Sequence, residues 1–412
     1  MLDLRAEAYS PVLLENLEWL GGLEDSFERG SQTAKKLLGL EITPKGLRNL
    51  TEKFGGERAE ARDRELRQFE KGNLSPQHPE PPQVAVVFLD GGRAQVRASE
   101  APPGVHDPAW TETKVGNFST YKNETFQADP QPEPPAKLLD PPRVARLVEE
   151  LKGASGQAKT KSEKKGKKAK KAKKAKNSRP ETEKVPAPKK LLRTVVATAK
   201  NAEEFGNMAA AETTRRGFFQ ARKKAILGDG SAWIWALAAL HFVGFTEILD
   251  IIHLVSYLYR AAQAVFPSDP KKAWALYEKL LRLAWSGRTA DLLEVLRKHA
   301  EKAGQPPKGA RDGDPRKVLW GTVGYVENNK ERMAYARYRR EGLPISSCPV
   351  ESLIRQVNIR VKGTQKFWVR GGLEAILQVR AAYLSDDDRR EKFWLRRPRG
   401  RAVGQNRFRR AA

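Results

Sequence analysis

Apolar and polar positions change their rhythm several times along this chain. Residues 1–71 read as helical and polar, with two short periodic segments around a turn. Ser31–Leu38 is followed by Gly39, and Thr43-Pro44 opens a second helix, with Thr43 suited to the N-cap and Pro44 to the first helical position. A Pro-rich stretch, 72–83, separates this region from Val84–Leu89, an unbroken apolar run of the kind that forms a fully buried strand. The pattern predicts that this strand ends at Asp90-Gly91-Gly92, that Ala94–Arg97 returns beside it, and that Thr111–Tyr121 adds a third strand to an antiparallel meander. A short helix is predicted over 142–152. Residues 153–190 have almost no bulky apolar side chain and read as a disordered linker. Beyond it the spacing predicts a helix over 191–220, short buried strands over 224–228 and 245–250, amphipathic helices through 261–343, and a further helix over 346–361.

These elements imply an α/β protein whose mixed sheet is assembled from separate pieces of chain. Residues 84–152, 191–260 and 344–385 supply the core, interrupted by the linker 153–190 and by an all-α insertion over 261–343. The helical region 1–71 precedes the core, and 386–412 follows it as a basic tail that is expected to be poorly ordered.

Charge narrows the class of partner. The 412 residues hold 76 Lys and Arg against 50 Asp and Glu, a formal charge of +26, so a polyanion such as nucleic acid is the expected partner. Much of that charge is concentrated, with eleven lysines and one glutamate in Lys159–Lys176, and nine arginines, one lysine and one glutamate in Arg389–Arg410. The single cysteine, Cys348, rules out an intramolecular disulfide framework or a multi-cysteine zinc finger and fits a reducing compartment. Residues from Met1 onward show no basic segment leading into an apolar run, so no signal peptide is expected and the location expected is cytoplasmic, which the resemblance described below would narrow to the bacterial nucleoid. The most apolar stretch, Ala232–Leu258, contains His241, Glu247, Asp250 and His253, which argues for a buried core and against a membrane span.

Two aspartates share one setting. Asp90 and Asp229 each follow an apolar strand and precede a glycine, and strand ends of this kind converge in one crevice of an α/β sheet. Carboxylates gathered there repel, and a hard divalent cation, magnesium or manganese, relieves the repulsion. An Asp-Gly pair is also ordinary turn punctuation, and Asp90 taken alone reads that way. Glu351 lies in the first turn of the helix predicted over 346–361, beside a stripe of Val350, Leu353, Ile354, Val357 and Val361. There it is equally a glutamate favoured by the helix dipole and paired with Arg355. Arg355, Arg360, Lys362 and Lys366 form a basic ridge suited to a phosphodiester backbone. In the N-terminal region, Lys45, Arg48 and Asn49 lie on the polar side of the second helix of a pair that is either helix-turn-helix-like and DNA-binding or an ordinary helical hairpin.

The runs VFLDGGRAQVR, AILGDGSAWIW with LDIIHLVSYL, and LPISSCPVESLIRQVNIRVKGTQKFW resemble the three acidic motifs of the IS-Kra family of bacterial insertion-sequence transposases, which is related to the Mutator-like DDE enzymes. LLGLEITPKGLRNLTEKFG is similar to the region upstream of those motifs. The resemblance implies a ribonuclease-H-like core with Asp90, Asp229 and Glu351 as its catalytic triad, holding two Mg2+ or Mn2+ ions. It implies double-stranded DNA, as element terminal repeats and as target, bound by a homo-oligomer. It also implies an Asp-x-x-His element, matched by Asp250 and His253, in a supporting role, although a core histidine near a strand end explains His253 as well. Trp233, Trp235 and Trp368 are candidate stacking platforms for a flipped base or, as is commoner, core aromatics. The other readings are a metal-dependent nuclease without strand transfer and a domesticated, inactive DNA-binding derivative.

Overall fold

The computed structural model describes residues 9–97, 109–154, 188–346, 348–363 and 366–396, with the side chains of 152–154 and 348–351 left out of the description. Three helices, α1 (Pro11–Leu23), α2 (Phe27–Leu38) and α3 (Pro44–Glu70), lead into strands β1 (Val84–Val96) and β2 (Ala109–Tyr121). Helix α4 (Pro141–Ala154) follows, then β3 (Lys190–Thr198), α5 (Ala202–Arg215), β4 (Lys223–Gly228), α6 (Ala232–His241) and β5 (Thr246–Leu249). Five helices come next: α7 (Ile251–Val265), α8 (Pro270–Trp285), α9 (Thr289–Ala303), α10 (Pro315–Asn329) and α11 (Tyr335–Arg340). The last described elements are α12 (Cys348–Val361), β6 (Phe367–Trp368), α13 (Arg370–Tyr383) and α14 (Arg389–Arg396). The chain is therefore mixed α/β. Among the described residues, no helix is long and apolar enough to cross a membrane.

The molecule divides into a sheet unit, Met1–Asn123 with Lys189–Asp250 and Ser346–Ala412, and a helical unit, Glu124–Pro188 with Ile251–Ile345. The sheet has the order β3-β2-β1-β4-β5. β2 is antiparallel to both β1 and β3, whereas β4 is parallel to β1 and β5 is parallel to β4. β6 pairs in parallel with the far end of β1. Val84–Leu89 are buried on both faces, as their unbroken apolar run requires, and such burial contributes about 1.5–3 kcal/mol for each large side chain. Ala85, Val87 and Leu89 pack on one face against Phe205 and Met208 of α5 and Ile234 and Leu237 of α6.

Three sequence expectations are corrected. First, β1 does not end at Asp90: it runs without interruption from Val84 to Val96, and β2 pairs with it along its whole length. Gly91 and Gly92 stay in extended backbone, and the absence of a side chain at Gly92 has a use, since a Cβ there would lie 2.8 Å from Thr113 Oγ1. The third strand of the meander is β3, which arrives from beyond the lysine-rich stretch. Second, 191–220 is not one helix, because Thr194, Val195 and Val196 are β-branched and join the edge of the sheet. Helix α5 begins only after Asn201, whose side chain accepts from Glu204 N–H at 2.8 Å as an N-cap. Third, residues 386–396 are ordered. Arg389 donates to Glu212 Oε1 at 2.8 Å and to Asp387 Oδ1 at 2.7 Å, and Trp394 packs edge-on against Phe54 with ring centroids 5.0 Å apart. Most of the expected linker, 155–187, and the tail from 397 onward lie outside the described residues.

The helical unit is larger than the insertion expected over 261–343. It begins at Ile251, and the chain from 124 to 154, expected to belong to the sheet core, packs here instead. Tyr277 donates to Leu138 O at 3.0 Å, Trp285 Nε1 donates to Gln131 O at 2.8 Å, and Arg339 pairs with Asp129 while lying 4.3 Å over the Trp285 ring. Gly342 has φ +72°, and a Cβ there would collide with Glu124 O, so the close approach of the two segments depends on glycine.

Glu212 on α5 ties the sheet unit together. It is buried, it accepts from Arg215 Nε at 2.9 Å and from Arg389, and it also receives the Thr194 hydroxyl. Burial opposes its ionisation, but the guanidinium groups of Arg215 and Arg389 outweigh burial and hold its carboxyl below the usual carboxylate range. A depressed folded-state pKa stabilises the fold at pH values above the unfolded value of ~4.3, and that stabilisation is lost as pH falls through the range below it. We expect Glu212→Gln to cost about 3–5 kcal/mol in urea unfolding at pH 7, because buried arginines then lack their counter-charge. The deficit relative to wild type should shrink when the measurement is repeated near pH 3.

Candidate metal and nucleic-acid site

Strand register brings the acidic residues of the sheet unit into one row. β1 and β4 pair in parallel as far as Phe88 opposite Leu227, and continuing that register past the end of β4 at Gly228 would bring Asp229 level with Asp90. β4 and β5 pair with Gly228 opposite Leu249, so Asp229 is in turn level with Asp250. The Asp250 N–H donates to Gly228 O at 2.8 Å, which keeps the β4–β5 ladder closed up to that point. Neighbouring strands are ~4.8 Å apart, and level residues of parallel strands project to the same face of the pleat. That face is opposite the one packed against α5 and α6, since it is Ala85, Val87, Leu89 and Ile226 that point to those helices.

Local backbone fixes two of the three carboxylates. Asp90 Oδ1 accepts from Gly91 N–H at 2.6 Å, and Asp229 Oδ1 accepts from Ser231 N–H at 2.9 Å at the entry to α6. Gly230, with φ +95°, makes the turn from β4 into that helix. A carboxylate at this place benefits from the N-terminal end of α6. Asp90 and Asp229 are half-buried, open enough for a ligand, whereas Asp250 is fully buried.

Helix α12 lies on the face that bears Asp90. A Cβ on Gly92 would be 3.5 Å from Asn358 Oδ1, and Gln95 Nε2 donates to Gly363 O at 2.6 Å just past the helix end, so α12 and β1 run in the same sense. From Asn358 back to residue 351 is two helical turns, ~10 Å. From Gly92 back to Asp90 is ~7 Å of strand. The first turn of α12, which contains position 351, thus starts at the level of the acidic row. The Glu351 side chain lies outside the described residues. The stripe Leu353, Ile354, Val357 and Val361 is buried against the sheet as its spacing predicts.

Among the described residues, no three His, Cys, Asp or Glu side chains form a group able to hold an ion. Asp90 and Asp229 nevertheless suit a hard divalent cation in donor type, being oxygen ligands without a thiol or imidazole beside them in the row. The Asp-x-x-His pair divides between the units: Asp250 closes the sheet unit, and His253, half-buried, belongs to the first turn of α7 in the helical unit.

The cationic residues expected to meet DNA separate into two groups. Lys45, Asn49 and Arg355 are exposed, Lys362 is half-buried, and Arg48 is half-buried with its Nε 3.7 Å from Glu52. Arg360, expected on the same ridge, is turned inward. Its Nε donates to Gly21 O at 2.9 Å and its guanidinium sits 4.0 Å over the Phe27 ring, where burial lowers its pKa to about 10. Lys366 Nζ donates to Ile359 O at 2.6 Å, capping the end of α12. Trp368 is a core aromatic, buried and donating to Val361 O at 2.9 Å, and Trp233 and Trp235 pack against the core under α6. Helices α2 and α3 form the expected N-terminal pair around Gly39, but α3 continues to Glu70, far beyond a short recognition helix.

The sequence reading missed a polar stripe on β2. Thr113, Asn117 and Ser119 are fully buried and line the face shared by Asp90 and Gly92. The signal was present, since every second residue from 113 to 119 is Thr, Val, Asn or Ser, but polar alternation reads as a solvent face until a helix is found covering it.

No family model matches the chain, and no curated protein matches it.

Because β1 passes beneath α12 at Gly92, a side chain there would enter space held by Thr113 and Asn358. Gly92→Val is expected to lower stability by about 1–3 kcal/mol, the usual cost of overpacking, in a urea titration. An unchanged midpoint would mean that α12 does not press on this part of the strand.

Proposed function

We propose that this protein is a DDE-type DNA transposase, which cleaves the ends of a DNA element and joins them to a target. Asp90, Asp229 and Glu351 hold two Mg2+ or Mn2+ ions in this reading. The observation that supports it most is the parallel register of β1 with β4, whose continuation past Leu227 would bring Asp229 level with Asp90 on the face that α12 covers. An antiparallel meander of β1, β2 and β3 extended by the parallel strands β4 and β5 also supports a ribonuclease-H-like core. So does the order of the acidic motifs along the chain, with helices inserted between the second and the third.

The chain's own groups have separate tasks. Asp90, in mid-strand and paired with Val115 of β2, is the rigid member of the set that would hold the ions. Asp229, just before α6, and Glu351, in the first turn of α12, would supply the remaining carboxylates. Bound in pairs, such ions activate water or a DNA 3′-hydroxyl and stabilise the departing oxygen at phosphorus. The exposed Lys45, Asn49 and Arg355 and the half-buried Lys362 supply phosphate or base contacts to double-stranded DNA, a partner that the net charge of +26 favours.

Incubating the protein with linear DNA ends, a target plasmid and Mg2+ tests the reading. Joined products are expected from wild type, with a loss of roughly 10³-fold or more in Asp229→Asn and Asp90→Asn, since each removes a charge that the transition state needs. Cleavage without joining would point to a nuclease. DNA binding with neither, and with no dependence on metal, would exclude catalysis.

A further inference from the structure

Two charged cavities open within the sheet unit, and they differ in how their charges are compensated. The larger, about 620 Å³, is lined by more cations than carboxylates, but most of its cations pair with acids of the fold: Arg58 with Glu18, Arg62 with Glu374, Arg64 with Glu60, Arg215 and Arg389 with Glu212, and Lys392 with Asp388. Those ions cross-link the fold and leave little for a ligand to do. The smaller cavity, about 400 Å³, is different. Four cationic side chains line it, from Arg48, Arg97, Arg360 and Lys366, against the two carboxylates of Asp25 and Glu52.

The surplus positive charge there is held in place by the fold. Arg360 is 2% exposed, and stacking between its guanidinium and the rings of Phe27 and Trp368, at 4.0 and 5.2 Å, fixes its plane. Its neighbour Arg380 adds repulsion, and burial with that repulsion pushes the Arg360 pKa down. Burial likewise pushes Lys366 down, with Arg360 as a further cause. More directly, among the described residues Nη2 of Arg360 and Nε of Arg97 are buried without a hydrogen-bond partner, as are Nε of Arg48, which lies 3.7 Å from Glu52, and one carboxylate oxygen, Oδ1 of Asp25. A buried guanidinium N–H left unmatched is costly, and several around one cavity mark a place where a ligand completes the hydrogen bonding.

Those atoms specify the ligand. Three unmatched donors suit the bare oxygens of a tetrahedral oxyanion, for which arginine is the preferred partner. One unmatched carboxylate acceptor suits a P–OH. The excess of two positive charges over negative suits a dianion. We propose that this cavity is a binding site for a phosphate group that retains one hydroxyl, with monohydrogen phosphate meeting both the charge and the proton requirement. An internal phosphodiester has no such proton and one charge fewer. Free phosphate meets both requirements, a terminal phosphate monoester meets the charge as its dianion or the proton as its monoanion, and the run of a DNA backbone meets neither. Arg97 is seven residues beyond Asp90 on an extended strand, ~23 Å away, so the pocket does not depend on what the acidic row does.

Isothermal titration of the full-length protein with potassium phosphate, at constant ionic strength set by chloride, tests the site. Wild type is expected to bind phosphate at one site per chain and sulfate at least tenfold more weakly, because sulfate cannot donate to Asp25. Arg97→Gln and Lys366→Gln, each verified as folded by circular dichroism, are expected to weaken phosphate binding at least tenfold. Asp25→Asn should narrow the difference between phosphate and sulfate. Competition then identifies the source: displacement of phosphate by a 5′-phosphorylated oligonucleotide but not by its unphosphorylated twin supports a DNA end, and displacement by neither supports the free ion. No binding above the chloride control, equal binding of phosphate and sulfate by wild type, or unchanged affinity in both Arg97→Gln and Lys366→Gln would overturn the proposal.

Discussion

The parallel hydrogen-bond ladder between β1 and β4 is the constraint on which the candidate site rests. Side chains along a strand alternate between faces with a period of two, so the pairing of Phe88 with Leu227 fixes both the level and the face of everything after it. Slipping this ladder by one residue would move Asp229 to the face occupied by Phe205, Ile234 and Leu237, where a carboxylate would be buried in hydrocarbon. The apolar packing of Ala85, Val87, Leu89 and Ile226 against α5 and α6 forbids that slip. The hydrophobic core thus aligns the aspartates without touching them.

The opposite face is closed by helices held through polar contacts. Gln95 binds the chain just past α12, Gln378 of α13 donates to Ala197 O on β3, and Glu374 accepts from Thr198 and from the Ala199 N–H. Such contacts have directional requirements that apolar packing lacks, so they set the helices in one register on the sheet. The chain from Arg389 to Arg396 adds a clamp from the other side, through Glu212. This distribution explains why charge is dense inside the sheet unit. Where arginines find acids, as at Glu212, they hold elements together, whereas Arg360 is held by Gly21 O and two aromatic rings at the edge of a cavity.

Several elements were legible because one local rule dominated. Val84–Leu89 could only be a buried strand, Thr43-Pro44 could only start a helix, and the stripe of α12 was visible in its spacing. The failures came where two rules competed. Asp90-Gly91-Gly92 is strong turn punctuation, yet β2 pairs with it over thirteen residues and Gly92 is needed for close packing rather than for turning. Residues 191–198 were read with the helix behind them because the edge strand and α5 are separated by only Ala199, Lys200 and Asn201. Arg360 had helical spacing with Arg355 and Lys362 and so looked like part of a ridge, although buried rings attract a guanidinium as readily as phosphate does.

By itself, the sequence determined which segments are apolar enough to be strands, where helices start, how strongly basic the chain is, and which carboxylates follow apolar runs. Those properties are local and additive, so composition and periodicity carry them. Tertiary structure alone decided that Asp250 stands level with Asp229, that residues 124–154 join the helical unit, that Thr113, Asn117 and Ser119 are buried, and that unmatched nitrogens gather around one cavity. Each of these depends on which distant segments become neighbours. Register and burial are properties of pairs of segments, and no single stretch of chain contains them.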